Sequence, residues 1–309
     1  YDIMPSLVGS EMCIRDRTNH YQIQSLPINS GVFCLKKDRF QDVVWIGTDG
    51  QGVYLYSNPL YSIKSMVLSN YTEKIERPVR AIYLDDERTF WVGTKGNGIL
   101  KIYDYEFDKN ISDCRAEVLT TSNSALSSNA VYCFAKSHRN LLWIGDEEGL
   151  TYYSYREKRI KSIPIRIGNE DFKYIHDIYE TADSELWLAS VGMGVVKARI
   201  AGTPDNPVIV DAQRYIINDG ELGSNYFFTI YAENEANLLF GNKGYGVFRY
   251  NETTNGLEPV STHKYENMTL NNILAISKDS SNNYLFGTSY GLITVSYTHL
   301  RAHETRHDL

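Results

Sequence analysis

The sequence predicts an all-β protein, a β-propeller with six recognisable four-stranded blades or a fragment of a seven-bladed one, and three observations carry that prediction. First, the stretch WIGTDGQGV at residues 45–53 returns as WVGTKGNGI from Trp91, WIGDEEGL from Trp143, WLASVGMGV from Trp187, LFGNKGYGV from Leu239 and LFGTSYGL from Leu285. The steps between these column positions are 46, 52, 44, 52 and 46 residues, a period that marks a repeat architecture. Second, a short apolar run stands twelve residues before each column position, thirteen in the first repeat. Third, 24 of the 309 residues are Tyr, a strand former, and no stretch carries the 3.6-residue periodicity of an amphipathic helix.

Taken in order, each repeat supplies four strands. The innermost are VFCL (32–35), VRAI (79–82), VYCF (131–134), IHDI (175–178), FFTI (227–230) and ILAI (273–276), apolar on both faces because neighbouring blades stack on either side. Their third residues, Cys34, Ala81, Cys133, Asp177, Thr229 and Ala275, are mostly small, which suits strands converging on an axis. A polar turn such as residues 84–89 or 136–140 leads to the Trp or Leu strand, as in a hairpin. Within that second strand Gly47, Gly93, Gly145, Gly241 and Gly287 mark the close approach of a neighbour, with Ala189 in the fourth repeat. Gly52, Gly98, Gly194 and Gly246 close the following turn, where positive φ is expected. A third strand (VYLY 53–56, ILKIY 99–103, VVKARI 195–200, VFRY 247–250) and a more variable fourth (62–68, 207–215) complete the unit. Residues 20–26 either complete the sixth blade and close the ring or remain from a lost blade.

Composition narrows the function. Thirty-eight acidic against 31 basic residues, a net charge of −7, and the absence of a Lys/Arg cluster argue against nucleic acid as a partner. The four cysteines show no CxxC spacing, and Cys34 and Cys133, at equivalent positions of blades one and three, are expected as buried free thiols. No cofactor and no metal site are expected: the glycine-rich stretches lead into strands and not into the helix N-termini that cradle phosphate, and no GxSxG, HExxH or P-loop pattern occurs. The four tryptophans share one column and are expected in the core.

Residues 1–17 and 297–309 carry no trace of the repeat and resemble translated sequencing-adapter sequence. They are expected as non-native, disordered tails flanking a propeller at residues 18–296.

The repeats resemble the two-component regulator propeller, whose motif runs from a Leu-Ser-Ser-Asn lead to Leu-Trp-Ile-Gly-Thr and a glycine pair. The nearest copy is LSSNAVYCFAKSHRNLLWIGDEEGL at residues 126–150, with looser ones at 222–230 and 270–276. That resemblance implies a non-catalytic, extracytoplasmic ligand-sensing propeller of a hybrid two-component regulator, responding to glycans. It implies a periplasmic position beside an inner membrane, a small-molecule or oligosaccharide ligand, other domains of the same regulator as partners, and room for a homodimer in the intact protein. The sequence itself contains no transmembrane, kinase, receiver or DNA-binding segment, as expected of a fragment. Two alternatives remain open: a propeller enzyme, either a lyase or a glycan-active one, and a secreted scaffold.

Binding is expected in loops held by rigid blades. The candidates lie in or just before the inner strands: Arg77, Arg80, Asn129, Lys173, His176, Asn225 and Asn271. Asp177 breaks an otherwise apolar or small column. Its functional reading is a ligand or ion contact in the central channel, and the favoured one a hydrogen-bonded contact between blades.

Overall fold

The computed structural model describes residues 28, 30–38, 43–50, 52–57, 64–66, 77–105, 114–217, 225–260, 272–279 and 281–295. Both expected tails and the expected strand at 20–26 lie outside the described residues.

The chain folds as a six-bladed β-propeller. Blade one is β1 (Val32–Lys37), β2 (Val43–Thr48), β3 (Val53–Ser57) and β4 (Lys64–Met66), and blade two is β5 (Val79–Leu84), β6 (Phe90–Thr94), β7 (Ile99–Ile102) and β8 (Ala116–Leu119). Blade three is β9 (Val131–Lys136), β10 (Leu141–Asp146), β11 (Leu150–Ser154) and β12 (Arg159–Ile163). A small hairpin follows, β13 (Arg166–Ile167) and β14 (Glu170–Asp171), which the repeat pattern did not anticipate. Blade four is β15 (Ile175–Glu180), β16 (Glu185–Ser190), β17 (Gly194–Thr203) and β18 (Asn206–Tyr215); blade five is β19 (Phe227–Asn234), β20 (Asn237–Asn242), β21 (Gly246–Asn251) and β22 (Gly256–Val260). Blade six has three strands among the described residues, β23 (Ile273–Lys278), β24 (Tyr284–Thr288) and β25 (Gly291–Val295). Every pairing is antiparallel, and β1, β5, β9, β15, β19 and β23 meet around the axis.

The core is divided among the joints between blades. Trp45 packs with Val79, Phe90 and Val92 of blade two, and Trp91 with Val131, Phe134 and Ile144 of blade three. Trp143 packs with Ile175 and Leu188 of blade four, and Trp187 with Phe227 and Phe240 of blade five. Leu239 packs with Ile273 and Phe286 of blade six. The sixth cluster joins Ala275 and Leu285 to Val32 and Ile46 of blade one, so six blades close the ring. Burying polar indole N–H groups requires acceptors. Trp45 donates to Asp38 and Trp91 to Asp85, each at 2.9 Å, and Trp143 to Glu180 of the next blade at 2.7 Å.

The second-strand glycines serve these joints. A Cβ on Gly145 would lie 2.6 Å from the Ile175 carbonyl oxygen, and one on Gly241 would lie 2.8 Å from that of Ile273. Each position therefore admits the first residue of the next inner strand. The turn glycines expected at positive φ have it, from Gly98 at 74° to Gly194 at 85°.

Candidate ligand site in the central channel

All six inner strands carry the same irregularity. In β1, Val32 pairs with Thr48 and Cys34 with Gly47, so that Phe33 is an extra residue in the ladder. The same skip leaves Arg80 unpaired in β5, Tyr132 in β9, His176 in β15, Phe228 in β19 and Leu274 in β23. A bulge re-aims the side chain that it frees, and here all six line the central channel, a cavity of about 300 Å³.

Within this ring the side chains meet in pairs. The Arg80 guanidinium carbon stands 3.3 Å from the Phe33 ring centroid. Tyr132 and His176 are stacked, with centroids 4.1 Å apart and planes at 13°, and His176 meets Phe228 edge-on at 5.2 Å. Burial drives the His176 pKa down to about 3, assisted by the positive charges of Arg80 and Lys95, so the imidazole is neutral. Burial also lowers the Arg80 pKa and raises that of the Tyr132 phenol.

The next residue along each strand has a different task. Cys34, Ala81, Cys133, Asp177, Thr229 and Ala275 pair in register with Gly47, Gly93, Gly145, Ala189, Gly241 and Gly287. Cys34 and Cys133 are free, and burial pushes the Cys34 thiol up to about 12, which makes it inert. Asp177 accepts hydrogen bonds from Thr229 Oγ1 at 3.0 Å and the Ile230 N–H at 2.7 Å, both in blade five, and from the Ile178 N–H at 2.9 Å. Its carboxylate fastens blade four to blade five.

The remaining candidates lie on the loops at the starts of the inner strands. Asn129 accepts the Gly96 and Gly98 N–H groups on its backbone carbonyl and the Thr121 N–H on its side chain at 2.9 Å. Asn225 repeats this in blade five, accepting from Gly192 and Gly194 and, on its side chain, from Ile217 at 2.8 Å. Lys173 pairs with Glu148 at 2.6 Å and Arg77 is exposed beside Gly96. Asn271 lies outside the described residues. The structure thus brings Arg80 and His176 together in the channel and leaves Arg77, Asn129, Lys173 and Asn225 on the loops of that face.

Phe33, Tyr132, Phe228 and Leu274 complete the ring and escaped the sequence reading, because an apolar residue in an apolar strand looks like core. Their signal lies in the internal alignment: the second inner-strand position reads Phe, Arg, Tyr, His, Phe, Leu, while the first is always apolar and the third mostly small. The same face exposes Tyr174, Tyr226, Tyr245 and Tyr290, at 42%, 41%, 37% and 72%. Tyr174 holds a left-handed backbone, φ 55°, while its N–H donates to the Glu147 carbonyl at 3.1 Å. Among the described residues no three His, Cys, Asp or Glu side chains gather so as to hold a metal ion, and no helix is long and apolar enough to cross a membrane.

No protein-family profile matches the chain. An alignment over 140 residues is 31% identical to translation initiation factor 6 of Saccharolobus solfataricus and covers 41% of this chain and 57% of that protein, less than two thirds of its length. Among solved structures, the extracellular domain of a hybrid two-component system from B. thetaiotaomicron superposes with a TM-score of 0.58 at 19% identity, over 90% of this chain and 34% of that one. The extracellular domain of a second such system from B. thetaiotaomicron gives 0.53 at 17%, over 93% and 40%. The chain therefore spans about a third to two fifths of those domains. A streptogramin B lyase gives 0.55 at 11% identity, over 87% of this chain and 94% of the lyase. What this chain has in common with all three structures is the β-propeller fold.

Proposed function

We propose that this chain is a non-catalytic, ligand-sensing propeller from the extracytoplasmic part of a hybrid two-component regulator, and that it binds a glycan at the channel mouth. One observation carries the reading: the same bulge in all six inner strands turns one side chain per blade, Phe33, Arg80, Tyr132, His176, Phe228 and Leu274, into a common channel. A rigid frame with one freely chosen residue per blade suits recognition. The exposed tyrosines on that face supply flat apolar surfaces with polar tips, a chemistry suited to sugar rings. The likeness to the extracellular domains of two hybrid two-component systems supports the extracytoplasmic setting, where further domains of the same regulator would be the partners.

A lyase is the second reading, favoured by the half-buried His176 in the channel and the near-complete overlap with the streptogramin lyase. Against it, Asp177 has one oxygen engaged by Thr229 and Ile230 of blade five and the other by the Ile178 N–H, so the described contacts include no carboxylate orienting His176. Titration calorimetry of the chain against a panel of neutral and acidic oligosaccharides tests the sensing reading. Saturable binding without turnover is expected; silence across the panel, or product formation, overturns it.

A further inference from the structure

We propose that the channel is a carboxylate subsite and that the glycan recognised is therefore acidic, presenting a uronic-acid residue to Arg80. The inference rests on the glycan-sensing reading above and adds the ligand's class. Arg80 is the one charged member of the bulge ring, since His176 is neutral. Its guanidinium carbon lies over the Phe33 ring, 3.3 Å from the centroid. Its Nε is sealed from solvent with no acceptor, and no carboxylate of the described residues forms an ion pair with it. The carboxylate that acts on Arg80 most strongly, Asp49, forms no ion pair with it, so a half-buried cation keeps a hydrogen-bonding edge unfilled, and a planar fork is the side chain best matched to a carboxylate held through two parallel hydrogen bonds.

The surrounding charge points the same way. Lys36, Lys37 and Arg80 line the channel, and the one carboxylate among its described lining residues, Asp177, has its oxygens engaged by Thr229, Ile230 and Ile178. Three basic side chains against one carboxylate give the described lining a positive excess inside a chain of net charge −7, with Asp49 acting on Arg80 from beyond that lining. Its roughly 300 Å³ lies at the small end of ligand sites, enough for one sugar residue and too little for a chain. The Tyr132 and His176 rings bound the space beside Arg80, with a phenol and a neutral imidazole to meet hydroxyl groups.

The test is calorimetry of the full chain with trigalacturonate and its neutral counterpart galactotriose, on the natural protein, Arg80→Gln and Arg80→Lys, with thermal unfolding as the fold control. Trigalacturonate is expected to bind the natural protein at least tenfold more tightly than galactotriose. Arg80→Gln should erase that preference while unfolding no earlier than the natural protein, and Arg80→Lys, which keeps charge but loses the fork, should lose at least half of it on a logarithmic scale. Should Arg80→Gln fail to fold, the Arg80→Lys result decides. Equal affinity for the two saccharides, or a preference that survives both substitutions, overturns the carboxylate subsite and leaves glycan sensing standing. Binding of other neutral glycans with silence toward trigalacturonate also overturns it. Silence toward every saccharide removes both readings.

Discussion

Two residues side by side in each inner strand live under opposite constraints. The third residue of the strand (Cys34, Ala81, Cys133, Asp177, Thr229, Ala275) faces the glycine column of its own blade, at the joint with the next. The second residue (Phe33, Arg80, Tyr132, His176, Phe228, Leu274) is released by a bulge into the channel. Size is dictated at one position and left open at the other. A propeller can thus change its ligand chemistry without retuning its joints, because bulging separates the two tasks by a single peptide unit.

Four experiments would break or sharpen this contrast. The largest effect is expected from the joint: Gly145→Val places a side chain against the Ile175 carbonyl, 2.6 Å from the new Cβ, and should cost about 3 kcal/mol or more in denaturant unfolding, or prevent folding. Next, Asp177→Ala leaves the Ile230 N–H and the Thr229 hydroxyl without their acceptor and should cost about 2 to 3 kcal/mol. A loss below about 0.5 kcal/mol would show that Asp177 does not fasten the two blades.

The third effect depends on pH. His176 has a folded pKa of about 3 against an ordinary value of 6.5, so the unfolded chain takes up a proton between those values and the folded one does not. Stability on this account is complete above pH 6.5 and declines as the pH falls towards 3. His176→Phe removes that decline, and by pH 4.5 the variant should have gained about 2 kcal/mol relative to its difference from the natural protein at pH 7.5. Asp146, raised to about 6 by burial, acts in the opposite sense in both proteins and cancels from the comparison. A pH-independent difference would place a charged imidazole in the channel. The smallest effect is expected at Phe228→Ala, about 1 kcal/mol or less, since a bulged ring at the channel wall supports no joint. A cost comparable to that of a core aromatic would show that the second column is structural after all.

Much of this fold was legible in the sequence. The period of the Trp and Leu column sets the blade number, and the second-strand glycines mark the joints, because one physical demand, close approach of the next strand, recurs six times with one exception. That exception, Ala189, stands opposite Asp177, the one carboxylate in its column. The bulges were not legible. A bulge inserts a residue without altering the apolar character of the strand, so two-residue periodicity cannot distinguish Phe228 in the channel from Phe227 in the core. Arg80 and His176 stood out because they are polar; Phe33, Tyr132, Phe228 and Leu274 did not. Asn129 and Asn225 show the converse: a polar type in a binding-face loop whose hydrogen bonds hold the turn of the preceding blade and its own lead-in. Closure was undecided in the sequence, since it depends on how β1 meets β23 and β24, a contact between residues far apart in the chain.

The joint that completes the circle is unlike the other five. Among the described residues its buried members are Val32, Leu35, Val44, Ile46, Ala275 and Leu285, with aromatics only partly buried against it, Tyr54 and Tyr56, while every other joint fully buries at least one ring. A circle held by unequal clasps parts at the loosest, so amide protons of β1 and β23 should exchange sooner than those of β9 and β15. The molecule then has a built-in seam, through which strain from a neighbouring segment could widen or narrow the channel without unfolding a blade.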